Sequence, residues 1–193
     1  MLKKPIMAID CDDVVVDFIN PFLAFYKSST GKHINYEEVF TYDLWGVFGC
    51  TREETVEAAR GFYRTRKFDE LSPNQEAIET IPLIAGLTRP FILTARYAEA
   101  KPKTIDFFAR FFPELRLEIE FAGEFQDIPI SKAEVCRRRE ATHIIEDNAH
   151  YALQCAQAGI TAFLVARPWN KNSQPHPNII PVNSLQEVIP YLS

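Results

Sequence analysis

Three acids fall within four positions at the end of a short apolar run, Ile6-Met7-Ala8-Ile9-Asp10-Cys11-Asp12-Asp13-Val14. A run of that kind reads as a buried strand with an abrupt polar end. If the strand continues to Asp12, its period of two points Asp10 and Asp12 to one side and Cys11 to the other. Crowded carboxylates repel unless a cation or a shared proton offsets them, so the stretch asks for a hard divalent metal such as Mg2+. Other apolar runs end in polar residues of complementary type. Phe91-Ile92-Leu93 delivers Thr94, and His143-Ile144-Ile145 delivers Glu146 and Asp147. Lys132 is the second residue of Ser131-Lys132-Ala133-Glu134, a capping-box spacing that puts its ammonium at a helix N-terminus, among backbone amides suited to an anion.

These types have a joint use in phosphoryl transfer. An aspartate attacking a phosphoryl group forms an acyl phosphate and splits one hard displacement into two. A second carboxyl protonates the departing alkoxide and later takes a proton from water. The transferred group is anionic and needs a metal, an ammonium and a hydroxyl donor around it. Taken singly, each residue has a plainer reading. D-x-D at a strand end is a common turn, Thr94 a helix-start hydroxyl, Lys132 a solvated lysine and Glu146-Asp147 a complement to a helix dipole.

The elements that must position these residues follow from the pattern. From Pro90 onward, short apolar runs alternate with amphipathic segments: strands at Phe91–Leu93, Leu117–Phe121, His143–Ile145 and Ala162–Val165, helices at about 98–112, 131–139 and 148–158. This predicts a parallel sheet flanked by helices, with ligands beyond the carboxyl ends of the strands. Residues 18–85 read differently. They are rich in aromatics and helix starts: Asn20-Pro21 opening a helix that Gly31 closes, and capping boxes at Thr51-x-x-Glu54 and Ser72-Pro73-Asn74-Gln75. The spacing predicts a small helical cap at 18–85 inserted into an α/β core of 1–17 and 86–193. Asn170–Pro181 reads as a loop, and Ser184-x-x-Glu187 as the start of a terminal helix. Asp17 precaps the first cap helix.

A chain of 193 residues buries roughly 70% of its extended surface, enough for such a core with a small accessory domain. The net charge is -5 and there is no basic stripe, since Arg137-Arg138-Arg139 is followed by Glu140; a nucleic acid polymer is not an expected partner. The apolar run behind Lys3-Lys4 stops at Asp10, too short for an export signal, and no later run approaches about 18 residues, so no membrane partner is expected. Four scattered cysteines without a C-x-x-C pair fit a reducing cytoplasm. His33, His143, His150 and His176 lack ligand spacing.

Asp10-x-Asp12-x-Val14, Thr94, Lys132 and Glu146-Asp147 together resemble the four motifs of the haloacid dehalogenase-like (HAD) hydrolases. The resemblance implies a Rossmann-like three-layer α/β sandwich with a mostly parallel sheet, a cap of the family's first type, and a Mg2+-dependent phosphomonoesterase working through an aspartyl phosphate. Carried over, it makes Asp10 the nucleophile and a metal ligand, and Asp12 the acid/base, with its backbone carbonyl on Mg2+. Thr94 would bond the phosphoryl oxygens, and Lys132 would neutralise nucleophile and phosphate. Asp147 would be the second carboxylate on the metal, with Glu146 ligating through water or orienting its neighbour.

Asp10-Cys-Asp-Asp-Val-Val-Val-Asp-Phe18, Tyr42-Asp43-Leu44-Trp45 and Arg167-Pro168-Trp169-Asn170 look most like the 5'(3')-deoxyribonucleotidases and their bacterial relatives. That implies a nucleoside or deoxynucleoside monophosphate as the small phosphorylated substrate, with Phe18 and Trp45 stacking on the base; a sugar phosphate or another small metabolite is the alternative, and a nucleotide- or phosphate-binding protein without turnover is the rival from another class. Arg96 either reaches the phosphate or makes a surface ion pair. Asp13 stands where these relatives often have glycine.

Overall fold

The computed structural model describes residues 4–123, 126 and 128–192, so the first three residues of the charged start fall outside it. One sheet holds β1 (Ile6–Ile9), β2 (Arg89–Thr94), β3 (Ile119–Phe121), β4 (His143–Glu146), β5 (Thr161–Val165) and β6 (Ile179–Val182). The order is β3-β2-β1-β4-β5-β6, and every neighbouring pair is parallel. The central strands are apolar on both faces because both are covered. Met7, Ile9, Ile92, Ile145, Phe163 and Val165 enter one buried cluster, while their neighbours Ala8, Phe91, Leu93, Ile144, Ala162 and Leu164 enter another. That alternation is the strand period of two, and it fixes which helices lie on which side.

Helices α5 (Gln75–Leu87) and α6 (Lys101–Phe111) supply Ile81, Ile84, Phe107 and Phe108 to the first cluster. Helices α7 (Lys132–Arg138) and α8 (Ala149–Gln157) supply Val135, Cys136, Ala152 and Cys155 to the second. The result is the expected three-layer α/β sandwich. Among the described residues, no helix is long and apolar enough to cross a membrane.

The segment expected to form a cap carries α1 (Ile19–Thr30), α2 (Leu44–Phe48), α3 (Arg52–Tyr63) and α4 (Arg66–Asp69). Its interior is aromatic, with Phe22, Phe48 and Phe62 fully buried. Gly61 permits the close approach of α1 to α3, since a Cβ there would lie 3.3 Å from the Phe25 ring. Helix α5 lies inside the segment expected to be cap, yet it packs against β2 and the C-terminal turn.

Several boundaries differ from the sequence reading for identifiable reasons. Helix α5 starts after Asn74, whose Oδ1 accepts the Ala77 N–H at 2.7 Å, and not at Ser72. The backbone at 73–74 is already engaged with the chain at Val15 and Val16 and cannot coil. Part of the expected loop 170–181 is strand β6; its Pro181 is tolerated because β6 is an edge. The terminal segment Gln186–Tyr191 is a 3-10 turn containing Pro190, and Glu187 accepts from the Asn183 N–H at 2.9 Å instead of closing a box with Ser184.

Candidate active site

Parallel pairing of β1 with β4 sets Ile9 opposite Ile145, so the next residues, Asp10 and Glu146, emerge side by side. From across the site, the Ser131 capping box fixes the start of α7 and delivers Lys132. Its ammonium donates to Asp10 Oδ1 at 2.7 Å and to Glu146 Oε1. All three side chains are buried. The other Glu146 oxygen accepts the backbone N–H groups of Asp147 (3.0 Å) and Asn148 (2.8 Å). With both oxygens engaged, Glu146 is suited to orienting its neighbours.

Carboxylate oxygens of Asp10, Glu146 and Asp147 lie within 4.8 Å of one another. Three buried acids thus share one ammonium. Burial, reinforced by the Glu146 charge, pushes the Asp10 carboxyl up to about 7 against the pull of Lys132. Burial and the charges of Glu146 and Asp10 drive Asp147 well above the ordinary carboxylate range. For Lys132, burial opposes the charge, but Asp10 and Glu146 more than offset it and hold the ammonium protonated. A compact all-oxygen set short of positive charge fits a hard divalent cation such as Mg2+.

Thr94 ends β2 next to this cluster and is buried. Its oxygen accepts the Arg96 N–H at 3.2 Å, which leaves the hydroxyl hydrogen to donate to an anion.

Strand β1 stops at Ile9, so the expected sharing of one strand face by Asp10 and Asp12 does not apply. Asp10 keeps one ladder bond, N–H to Ile145 carbonyl at 3.0 Å, and the chain then turns tightly, with the Val15 and Val16 N–H groups donating to the Cys11 carbonyl. Asp12 consequently meets a different cation. Arg96 grips it through Nε (3.0 and 3.1 Å) and Nη2 (2.6 Å). Arg96 is buried, donates from Nη1 to Thr104 at 3.2 Å and stands 5.0 Å from the Phe68 ring centroid. Neither expected role fits it: the pair is not a surface one, and the guanidinium is spent on Asp12 and Thr104, not left to a substrate phosphate.

Asp13 also finds its explanation here. Its φ of 56° is left-handed, a region that aspartate tolerates better than most residues and glycine enters freely. Its carboxylate accepts the N–H groups of Phe18 and Ile19, both at 3.1 Å, so it caps α1, which begins at Ile19 and not at Pro21. Asp17 adds the expected second cap on Asn20.

Of the residues expected at the substrate's organic end, Phe18 is half-buried and packs one side against the aromatic interior. Its ring lies 5.6 Å from Phe22, 5.5 Å from Phe62 and 6.2 Å from Tyr63. Trp45 is half-buried on α2 with the Arg52 guanidinium 5.8 Å from its ring. Tyr42, 48% exposed, stands edge-on to Tyr151 at 6.3 Å. Tyr151 in turn lies 4.9 Å from the Lys132 ammonium. Nothing in the periodicity singled out this pair.

The loop after β5 closes the site. Arg167 donates through Nε (2.9 Å) and Nη2 (2.5 Å) to the Asp13 carbonyl. Trp169 Nε1 donates to Asp147 Oδ2 at 2.9 Å. Asn170 Nδ2 donates to the carbonyls of Asp147 (2.8 Å) and Val165 (2.7 Å). The signal was a polar run at a strand's carboxyl end, the same one that marked Thr94 and Glu146.

No protein-family profile and no curated protein sequence matches the chain. Solved structures do. A haloacid dehalogenase-like family hydrolase from Streptococcus pneumoniae aligns over 100% of both chains at 16% identity with a TM-score of 0.71. A Bacillus subtilis protein described as a HAD-hydrolase bound to magnesium covers 99% of each chain at 17% identity with a TM-score of 0.65. A HAD-superfamily hydrolase of subfamily IA from Geobacter sulfurreducens covers 98% of this chain and 97% of its own at 18% identity with a TM-score of 0.61. The likeness is one of fold, and the chain has the HAD-like fold.

Proposed function

We propose that this chain is a Mg2+-dependent phosphomonoesterase that acts through an aspartyl phosphate on Asp10, with nucleoside or deoxynucleoside monophosphates as substrates. The observation that carries the reading is a buried aspartate at a strand end, paired with Lys132 and flanked by Glu146 and Asp147, with a second aspartate two residues on. Asp10 and Asp147 would hold the ion, with the Asp12 backbone carbonyl added by the family resemblance and Glu146 orienting the set. When bound, Mg2+ neutralises charge on the phosphoryl oxygens and the nucleophile.

The chain's own groups account for the bonds made and broken. A carboxylate oxygen of Asp10 attacks phosphorus, and the ester P–O bond breaks as Asp12, which must leave the Arg96 guanidinium and enter the cycle protonated, gives its proton to the leaving oxygen. Asp12 then takes a proton from water, whose oxygen attacks the phosphorus of the acyl phosphate, freeing phosphate and Asp10. Thr94 donates its hydroxyl to a phosphoryl oxygen, and Lys132 offsets negative charge on Asp10 and the transferred group.

The cap governs the choice of substrate. Tyr42, exposed and edge-on to the Tyr151 ring that neighbours the Lys132 ammonium, is the aromatic on which a base would stack. A sugar phosphate is the second reading, supported by a fold neighbour from Thermotoga maritima described as a proposed β-phosphoglucomutase, at 14% identity and a TM-score of 0.59. The scattered cysteines, all free, keep the cytoplasm as the expected compartment.

Phosphate release from a panel of 5'- and 3'-nucleoside monophosphates and sugar phosphates, with Mg2+ and with EDTA, tests all of this. Turnover should require Mg2+ and vanish in Asp10→Asn; unimpaired turnover by that variant would sink the mechanism. Preference within the panel separates the two substrate classes.

A further inference from the structure

Trp169 sits on the 3-10 turn Pro168–Asn170, outside the acids, the lysine and the hydroxyl that do the chemistry. Its indole N–H reaches Asp147 Oδ2 at 2.9 Å. Asp147 is buried, and the N–H removes one lone pair of one oxygen from play and fixes the carboxylate plane. The residue type matters. An indole nitrogen donates only, so unlike histidine or an amide it offers a cation no lone pair and cannot displace Asp147 as a ligand.

The indole is itself held from two sides. Asn170, on the same turn, ties the Asp147 carbonyl to the Val165 carbonyl and caps the turn by accepting the Arg167 N–H at 3.0 Å. From the cap, the Tyr36 ring meets Trp169 edge-on at 5.8 Å. Such an outer partner typically tunes metal affinity by about 10–100-fold.

We infer that Trp169 is a positioning residue for the cation, aiming Asp147 at the shared acidic site and setting the site's affinity for Mg2+. The inference rests on the metal reading of Asp10, Glu146 and Asp147 but not on the substrate or the reaction.

Calorimetric titration of the chain with Mg2+ tests it without turnover. Trp169→Phe keeps a ring for Tyr36 to pack on and removes only the donor, and its dissociation constant should rise about tenfold. Unchanged affinity in that variant overturns the inference while leaving the metal site standing. No uptake of Mg2+ by the unmodified chain overturns the metal reading and the inference with it. A spectroscopic arm guards against a variant that fails to fold. The chain has two tryptophans, so Trp45→Phe leaves Trp169 as the sole indole emitter. Its emission should shift on Mg2+ addition with the same dissociation constant that calorimetry gives. An emission indifferent to Mg2+ also overturns the inference.

Discussion

The carboxyl end of the sheet and the cap interior are both buried, but they are held together in opposite ways. At the sheet end, ionisable groups are taken out of water and each is matched to a particular partner: Lys132 to Asp10 and Glu146, Arg96 to Asp12, Trp169 to Asp147. In the cap, Phe18, Phe22, Phe25, Phe62 and Phe68 meet at centroid distances of 5.5–6.5 Å, without directional bonds. Ring contacts tolerate rearrangement, whereas a buried charge that loses its partner does not. Under the proposed function, the first region carries the chemistry and the second the selectivity.

The largest effect should come from Lys132→Met. It strips two buried carboxylates of their ammonium, so stability should fall by about 3–5 kcal/mol in chemical denaturation and phosphatase activity should disappear. A stable, active variant would mean that the acids are not dependent on that partner. Phe62→Ala should cost a comparable about 3–5 kcal/mol through the cavity it leaves among four other phenylalanines. At saturating Mg2+ its folded fraction should still take up the ion stoichiometrically. Loss of that uptake would erase the distinction between the two regions.

Acidity gives a third handle, one confined to the sheet end. The Asp10 carboxyl is raised from its usual value of 3.8 to about 7 in the fold, and Asp147 moves in the same direction. Between those limits the folded chain keeps a proton that the unfolded chain has released. The Asp10 contribution to stability is therefore fully present below pH about 4 and is lost as the pH climbs to about 7, and the Asp147 contribution falls in the same direction. In EDTA, thermal midpoints should decline over that window, and Mg2+ should restore them most at the alkaline side. A flat profile would remove the argument for a charge-deficient site. The smallest effect should come from Tyr42→Ala, which removes a stacking surface worth about 1–3 kcal/mol per base. The kcat/KM for nucleoside monophosphates should fall about tenfold, with little change for sugar phosphates; equal losses on both would deny the cap its selectivity role.

The sheet was legible because apolar strands broken by polar ends announce themselves residue by residue. The Ser131 and Thr51 capping boxes form as read. Boundaries failed where distant backbone intervened, as at Asn74, which bonds Val15 before α5 can begin. Phe18 stays partly exposed while its ring packs against Phe22 and Phe62, a contact between α1 and α3 that no local pattern announces.

What the sequence alone determined is which groups gather at one end of one sheet. Strand period, capping and residue chemistry are local properties, and parallel strands that end at Thr94 and Glu146 or just before Asp10 must present them together. What only the tertiary structure decided is who pairs with whom. Arg96 reaches Asp12 across 84 positions, Lys132 reaches Asp10 across 122, and Arg167 reaches the carbonyl of Asp13 across 154. Those pairings depend on strand order and on a turn after β1 that sends Asp10 and Asp12 to different cations. Charge complementarity is satisfied by whichever partner the fold brings within about 3 Å, and no local pattern in the chain encodes that choice.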